Sequence, residues 1–325
     1  MLLDDNSVSS QTSTISHIIL NIINAPHHQP IIHTTTTSIH LFLPTSTPLS
    51  SLPIRTTTSN DPLVGITYSP YNNDGTCRSK TQVYSDFQRL LPLNIDLVRI
   101  YGVDCDQVST VTPAAYSIGV KLFLGIFDLN SLIPQIQTLV SAIQGTSPIG
   151  WQIVDTISVG NELVNNGQAT ATQVIEAIRA ARGMLRAAGY QGSVVTVDTF
   201  FAVENEPGLC VESDYCAVNV HAFFDSQSVA EMAGEFVLRK VADVKEVLED
   251  EGKRVVVTES GWPWQGMANG AAVPGRIEQK IAIESIKQAW RDNPWGGLYL
   301  FTAFDDSWKV AEPGTFYAEQ FWGME

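Results

Sequence analysis

Eight short, nearly uninterrupted apolar runs recur between Leu63 and Phe304, and nothing else in the chain restricts its fold as much. They lie at 63–70, 95–103, 120–127, 153–162, 193–201, 217–224, 254–261 and 296–304. A strand that is apolar on both faces is buried on both, the condition of parallel strands covered by helices. The segments between the runs mostly carry helical spacing. Residues 171–188 place Val174, Ile178, Ala181 and Leu185 on one face and Arg179, Arg182 and Arg186 away from it, with Gly189 as a stop. Residues 235–251 behave alike and end at Gly252, while 79–91 open on a capping Ser79 and end before Pro92. Residues 204–215 are too short for a good helix. Eight β-then-α units across 62–325 fit a (β/α)8 TIM barrel, a fold of about 250 residues. An open doubly wound sheet usually has fewer strands and a Gly-rich phosphate loop after its first, where this chain reads YSPYNNDGT.

The first 61 residues differ from the rest. They are rich in Ser and Thr, include a TTTT run and scattered Pro, and hold only Arg55, Asp4, Asp5 and Asp61 as charges. That composition predicts a disordered linker or an O-glycosylated stalk over 1–61, followed by a single catalytic α/β domain over 62–325. No secretory signal peptide is evident, because Asp4 and Asp5 stand where a basic region belongs and the apolar stretches are too short. If the protein is secreted, its signal is expected either upstream of this start or to be missing from the gene model.

Composition excludes several function classes. The net charge of −15 argues against nucleic acid or an anionic membrane as partner, and no apolar run reaches the roughly 18 residues of a membrane span. Hydrophobic residues make up 44% of the chain, enough for a substantial core. Five of the six histidines (His17, His27, His28, His33, His40) fall in the tail at irregular spacing, which leaves only His221 for the barrel. A multi-histidine metal centre is thereby excluded there, and neither metal nor organic cofactor is expected. A Ser-His-Asp hydrolase is disfavoured by the single His and by the lack of a Gly-X-Ser-X-Gly elbow.

Barrel enzymes work at the carboxyl ends of their strands, so polar residues at those ends are the candidates. The fourth run closes on ISVGNE and the seventh on VVVTES, placing Glu162 and Glu259 at the same rim. A single strand-end Glu is as easily structural as functional. Two carboxyls facing one pocket are what glycosidic cleavage needs: one protonated to assist the leaving oxygen, one ionised to attack or to activate water. Opposed environments separate their pKa values. A rigid strand also holds a nucleophile better than a loop does. After Glu259, Gly261 lets the chain turn near the site, and Trp262 and Trp264 offer flat faces for sugar rings or, equally, core packing.

At these residues the chain resembles glycoside hydrolase family 17. The likeness rests on SVGNE (158–162), VVVTESGWP (255–263), GITYSPY (65–71), LVRIYGVDC (97–105) and FDDSWK (304–309), and on DYCAVNVHAFFD (214–225) for the fungal cell-wall members. The resemblance covers 62–325 and implies a retaining β-1,3-glucan-active barrel enzyme. Glu162 then matches the acid/base, Glu259 the nucleophile, and Asn161 the residue that bonds the sugar 2-hydroxyl. Retention implies carboxyls about 5–5.5 Å apart. His221 and Trp262 are expected to bind substrate, as are Trp308, Lys309 and Asp306. Tyr68 and Tyr101 are expected to bind substrate by donating to sugar hydroxyls or, alternatively, to donate to Glu259. Plant members carry Glu where Asp306 stands, which places a direct contact by the shorter side chain in question.

Four cysteines, Cys77, Cys105, Cys210 and Cys216, fall in or beside loops that follow strands. They allow three connectivities. A Cys77–Cys105 bridge would join neighbouring loops and Cys210–Cys216 would close a small one, whereas four free thiols would suit the cytosol. Two bridges would fit an oxidising compartment. No Asn-X-Ser/Thr sequon occurs. The expected protein is a secreted or wall-associated monomeric β-glucan hydrolase. The rivals are a glucan transglycosylase or exo-acting β-glucosidase and, in another class, a non-catalytic glucan-binding wall protein.

Overall fold

A computed structural model describes residues 63–325 apart from 249, 251 and 293–295. The Ser/Thr-rich tail lies outside the described residues. Each apolar run contributes a parallel strand: β1 (Val64–Thr67), β2 (Leu97–Arg99), β3 (Lys121–Ile126), β4 (Val154–Asn161), β5 (Ser193–Thr199), β6 (Cys216–Asn219), β7 (Val255–Ser260) and β8 (Leu298–Leu300). Each pairs with the next and β8 pairs with β1, closing the barrel.

The intervening helices are α1 (Lys80–Leu90), α2 (Gln107–Ile118), α3 (Leu132–Gln144), α4 (Ala171–Ala187), α5 (Phe200–Asn205), α6 (Gly208–Glu212), α7 (Ala233–Val247) and α8 (Arg276–Asp292). Ser79 and Thr170 each form a capping box, with Gln82 and Gln173 reaching back, so α1 and α4 start where their backbone N–H groups find acceptors. The α4 stripe is buried as its spacing predicts. No described helix is long and apolar enough to cross a membrane.

Two expectations about elements change. The fifth connection holds two short helices, and Phe200 and Phe201 open the first of them rather than ending β5. Thr199 accepts from the Ala202 N–H and caps that helix. The eighth strand is not followed by a helix: residues 301–325 run as irregular chain around one 3-10 turn, Pro313–Thr315. Inside the barrel, Leu97, Phe123, Val195, Val197, Tyr215, Ala217, Val256 and Tyr299 form a plug separate from the larger core between sheet and helices. That plug fills the barrel below its mouth, so chemistry is confined to the rim.

Candidate active site

Both strands that carry the glutamates contain one surplus residue just before them. On β4, Ser158 pairs with Val195 and Asn161 with Val197, three steps against two. The surplus falls at Gly160, whose φ of 84° is open to glycine and costly for other residues. Glu162 follows with φ 54°, also left-handed, pinned by its N–H to the Val197 carbonyl (2.9 Å) and its carbonyl to the Asn166 N–H (3.0 Å). On β7, Val257 pairs with Val218 and Glu259 with Asn219, so Thr258 is the surplus residue. Such bulges re-aim side chains at a barrel rim. Beyond Glu259 the chain passes so close to β8 that a Cβ on Gly261 would stand 2.1 Å from the Phe301 carbonyl oxygen.

Glu259 is buried and densely partnered. Its Oε1 accepts from an Arg99 guanidinium nitrogen at 3.0 Å and from the Tyr101 hydroxyl at 2.8 Å, and its Oε2 lies 3.3 Å from His221 Nε2. Burial alone would push this carboxyl up. The His221 hydrogen bond, the Arg99 charge and the Tyr101 hydroxyl together outweigh it, and the pKa is held below the ordinary carboxylate value.

Glu162 has the opposite environment. Burial and then the Glu259 charge raise its pKa to about 7, with the Asn219 amide (2.8 Å to Oε1) pulling the other way. Asp198, buried on β5, accepts the N–H groups of Val164 and Asn165 and so anchors the loop that begins at Glu162. One carboxyl is therefore built to be protonated near neutrality and the other to be ionised.

A groove of about 920 Å³ runs over both. Tyr101, Asn161, Glu162, His221, Glu259, Trp308 and Lys309 line it, together with Tyr71, Phe127, Phe224, Phe301, Glu319 and Trp322. Asn161 Oδ1 accepts from Arg99 (2.6 Å), so its amide N–H2 is free to face the groove.

Three expected binding residues lie elsewhere. Tyr68 points outward under α1, buried at 1% exposure, with its hydroxyl on Asp86 at 2.6 Å and its ring on Phe87. Trp262 is fully buried, its indole N–H on the Val273 carbonyl and its ring against Phe223. Asp306 is buried and uses its oxygens internally, one on the Trp308 indole N–H (3.0 Å) and one on Lys309 (3.3 Å). Trp264 is likewise occupied, by Asp305, by Phe321 and by Arg276 stacked 3.6 Å above its ring.

Sequence reasoning missed Arg99 and Asn219, which hold the two carboxyls. The signal for Arg99 was present: one cation inside an apolar strand must have a buried partner. The cysteines pair as Cys77–Cys105 and Cys210–Cys216. The first joins the loops after β1 and β2 at the groove. The second ties α6 to the start of β6, at the other end of the sheet, so Cys210 and Cys216 do not border a loop that follows a strand.

A closed (β/α)8 barrel with two carboxyls in opposed environments at one rim defines the class of barrel glycoside hydrolases. The chain belongs to the BtgE/BtgC glycoside hydrolase domain family, which matches residues 65–323. It is similar to the probable family 17 glucosidase SCW10 of Saccharomyces cerevisiae, 47% identical over 260 residues that cover 80% of this chain and 64% of that protein. It is also similar to the cell surface mannoprotein MP65 of Candida albicans, at 45% identity over 80% of this chain and 66% of that protein. The chain thus spans less than two thirds of the length of either relative. Among solved structures, the family 17 β-1,3-glucanosyltransferase of Rhizomucor miehei shares the fold, with TM-score 0.67 and 21% identity over 80% of this chain and 92% of that one.

Proposed function

We propose that the protein cleaves β-1,3-glucan by double displacement, with Glu162 as acid/base and Glu259 as nucleophile. What carries the reading is the separation of the two carboxyl pKa values across one groove. In the first step a Glu259 oxygen bonds to the anomeric carbon while the glycosidic bond breaks. The leaving oxygen takes its electron pair and the proton of Glu162. In the second step a water hydroxyl bonds to that carbon, the ester bond returns its pair to Glu259, and the water proton passes to Glu162. Asn161, with its amide free towards the groove, suits the sugar 2-hydroxyl. The substrate is a glucan chain, and a monomer with one groove is sufficient for it.

Two disulfides and the cell-surface name of one relative support a secreted or wall-associated protein. The aromatic groove lining also offers faces for a second sugar in place of water, which makes glucan transfer the alternative fate of the same intermediate. Incubation with a 2-deoxy-2-fluoro glucoside followed by peptide mass spectrometry tests the reading. Labelling of Glu259 is expected, and labelling at another residue overturns it. Analysis of products from a defined laminari-oligosaccharide then separates hydrolysis from transfer, since only transfer yields longer chains.

A further inference from the structure

Asn219 touches both halves of the site. Its Oδ1 accepts from an Arg99 guanidinium nitrogen at 3.3 Å and from the Thr258 hydroxyl at 2.8 Å, and its Nδ2 donates to Glu162 Oε1 at 2.8 Å. The direction of that amide follows from chemistry. A guanidinium has no acceptor, so the amide oxygen must face Arg99 and the amide nitrogen must face Glu162. Thr258, the surplus residue of the β7 bulge, reinforces the same orientation. Asn219 and Thr258 are fully enclosed, at 2% and 0% exposure, so water does not compete for the amide.

We propose that Asn219 is a positioning residue for Glu162. Its amide N–H2, turned by Arg99 and Thr258, holds Oε1 and favours the ionised carboxylate that the first step creates and the second step uses. This rests on Glu162 being the acid/base. The carboxylate appears when Glu162 gives its proton to the leaving oxygen, and it is consumed when it takes the proton from water; a donor already in place at Oε1 stabilises it through both events. The titratable groups that act on Glu162 are Glu259 from β7, His221 beyond β6 and Asp198 from β5. Burial and then the Glu259 charge push its carboxyl up, and the Asn219 hydrogen bond is the largest opposing pull.

The experiment is a comparison of wild type with Asn219→Ala on a laminari-oligosaccharide, with the pH profile of kcat/KM and a carboxyl NMR titration of Glu162 identified through Glu162→Gln. The alkaline limb and the Glu162 titration are both expected to move to higher pH, by about one pH unit. Turnover should fall roughly tenfold with KM changed far less. A folded Asn219→Ala whose Glu162 titration is unmoved overturns the inference. The NMR titration needs no substrate, so a shifted Glu162 in an enzyme inert toward glucan would keep the positioning role and sink the glucan reading instead. Should Asn219→Ala not fold, the near-isosteric Asn219→Leu, which also lacks the amide donor, decides: an upward movement of Glu162 supports the role, and no movement overturns it.

Discussion

Arg99 places a guanidinium nitrogen 3.0 Å from Glu259 Oε1, with the two side chains 1% and 7% exposed. Two opposite charges so enclosed depend on each other, because either one alone would be an uncompensated buried ion. Arg99 also donates to the Thr258 carbonyl and to Asn161, so one cation sets the geometry of the rim. Replacement by Met is expected to lower unfolding stability by about 3–5 kcal/mol. It should also move the acid limb of kcat/KM upward, since burial then acts on Glu259 with less opposition. Denaturant unfolding and a pH–rate profile measure the two effects, and an unmoved acid limb would refute the part assigned to Arg99.

The separated carboxyls predict a bell-shaped profile. Activity should fall above pH of about 7, as Glu162 loses the proton it must donate, and at low pH, as Glu259 gains one below the ordinary carboxylate range. Glu162→Gln should abolish turnover of laminarin with the fold intact. Azide attacks the glycosyl-enzyme but cannot protonate a leaving glucan oxygen, so the rescue uses Glu162→Ala with a dinitrophenyl β-glucoside, whose leaving group needs no acid. Recovered turnover with the β-anomer of the glycosyl azide as product would identify Glu162 as the acid/base.

The same shift makes a stability statement of unusual sign. A carboxyl whose folded pKa is raised favours the native state below its unfolded value, and that contribution is lost as pH rises to about 7. Glu162→Gln escapes the loss. Its melting temperature should match wild type near pH 4 and exceed it at pH 8, where the gain in unfolding free energy is on the order of 3 kcal/mol as an upper limit. Parallel melting curves below and above neutrality check this, and equal midpoints at pH 8 would contradict the environment described for Glu162.

Much of this site could be read from the chain because strand ends in a closed parallel barrel share one rim. Glu162, Glu259, Asn161 and His221 each lie at or just past the carboxyl end of a strand, and topology alone brings them together. Tyr68 and Tyr101 show where that reasoning stops. Both follow a strand closely, yet Tyr101 turns inward to Glu259 while Tyr68 turns outward to Asp86. Alternation along a strand does not say which face is which until register and bulges are known. Trp322 was invisible for a different reason: it reaches the groove from irregular chain, which has no periodicity to read. Trp262 follows Glu259 by three residues but lies beyond the tight passage at Gly261, which carries it into the core.

The two disulfides should differ in consequence. Cys77 and Cys105 are 28 residues apart and join two loops beside the groove, while Cys210 and Cys216 are six apart at the other end of the barrel. Chain entropy assigns about 3.5 kcal/mol to the longer closure and about 2.2 kcal/mol to the shorter. The loop of Cys105 also carries Asp104, which takes the Tyr71 hydroxyl at the groove wall. Paired Ala replacement of Cys77 and Cys105 should therefore lower stability more and raise KM, whereas replacement of Cys210 and Cys216 should leave KM unchanged. A KM effect from the second pair alone would reverse this assignment.

Asp306 does not reach the groove, but it fixes two residues that do. One oxygen holds the Trp308 indole N–H, the other holds Lys309, and Lys309 is further paired with Glu319 at 3.4 Å. Burial would lower the Lys309 pKa, yet Asp306, Glu319 and Glu259 together raise it, so the groove keeps a fixed ammonium. Trp308 is in turn backed by Tyr71, ring to ring at 4.8 Å. Asp306→Asn keeps an acceptor for the indole but removes the charge that holds Lys309; Asp306→Ala removes both. For a laminari-oligosaccharide the expected rise in KM is about threefold for Asn and about tenfold for Ala, with kcat little changed. A Trp308→Ala protein should then be almost insensitive to the difference between Asn and Ala at 306, because the tether that distinguishes them would have nothing left to hold. Equal KM values for the Asn and Ala variants in the presence of Trp308 would show that the tether has no bearing on substrate binding.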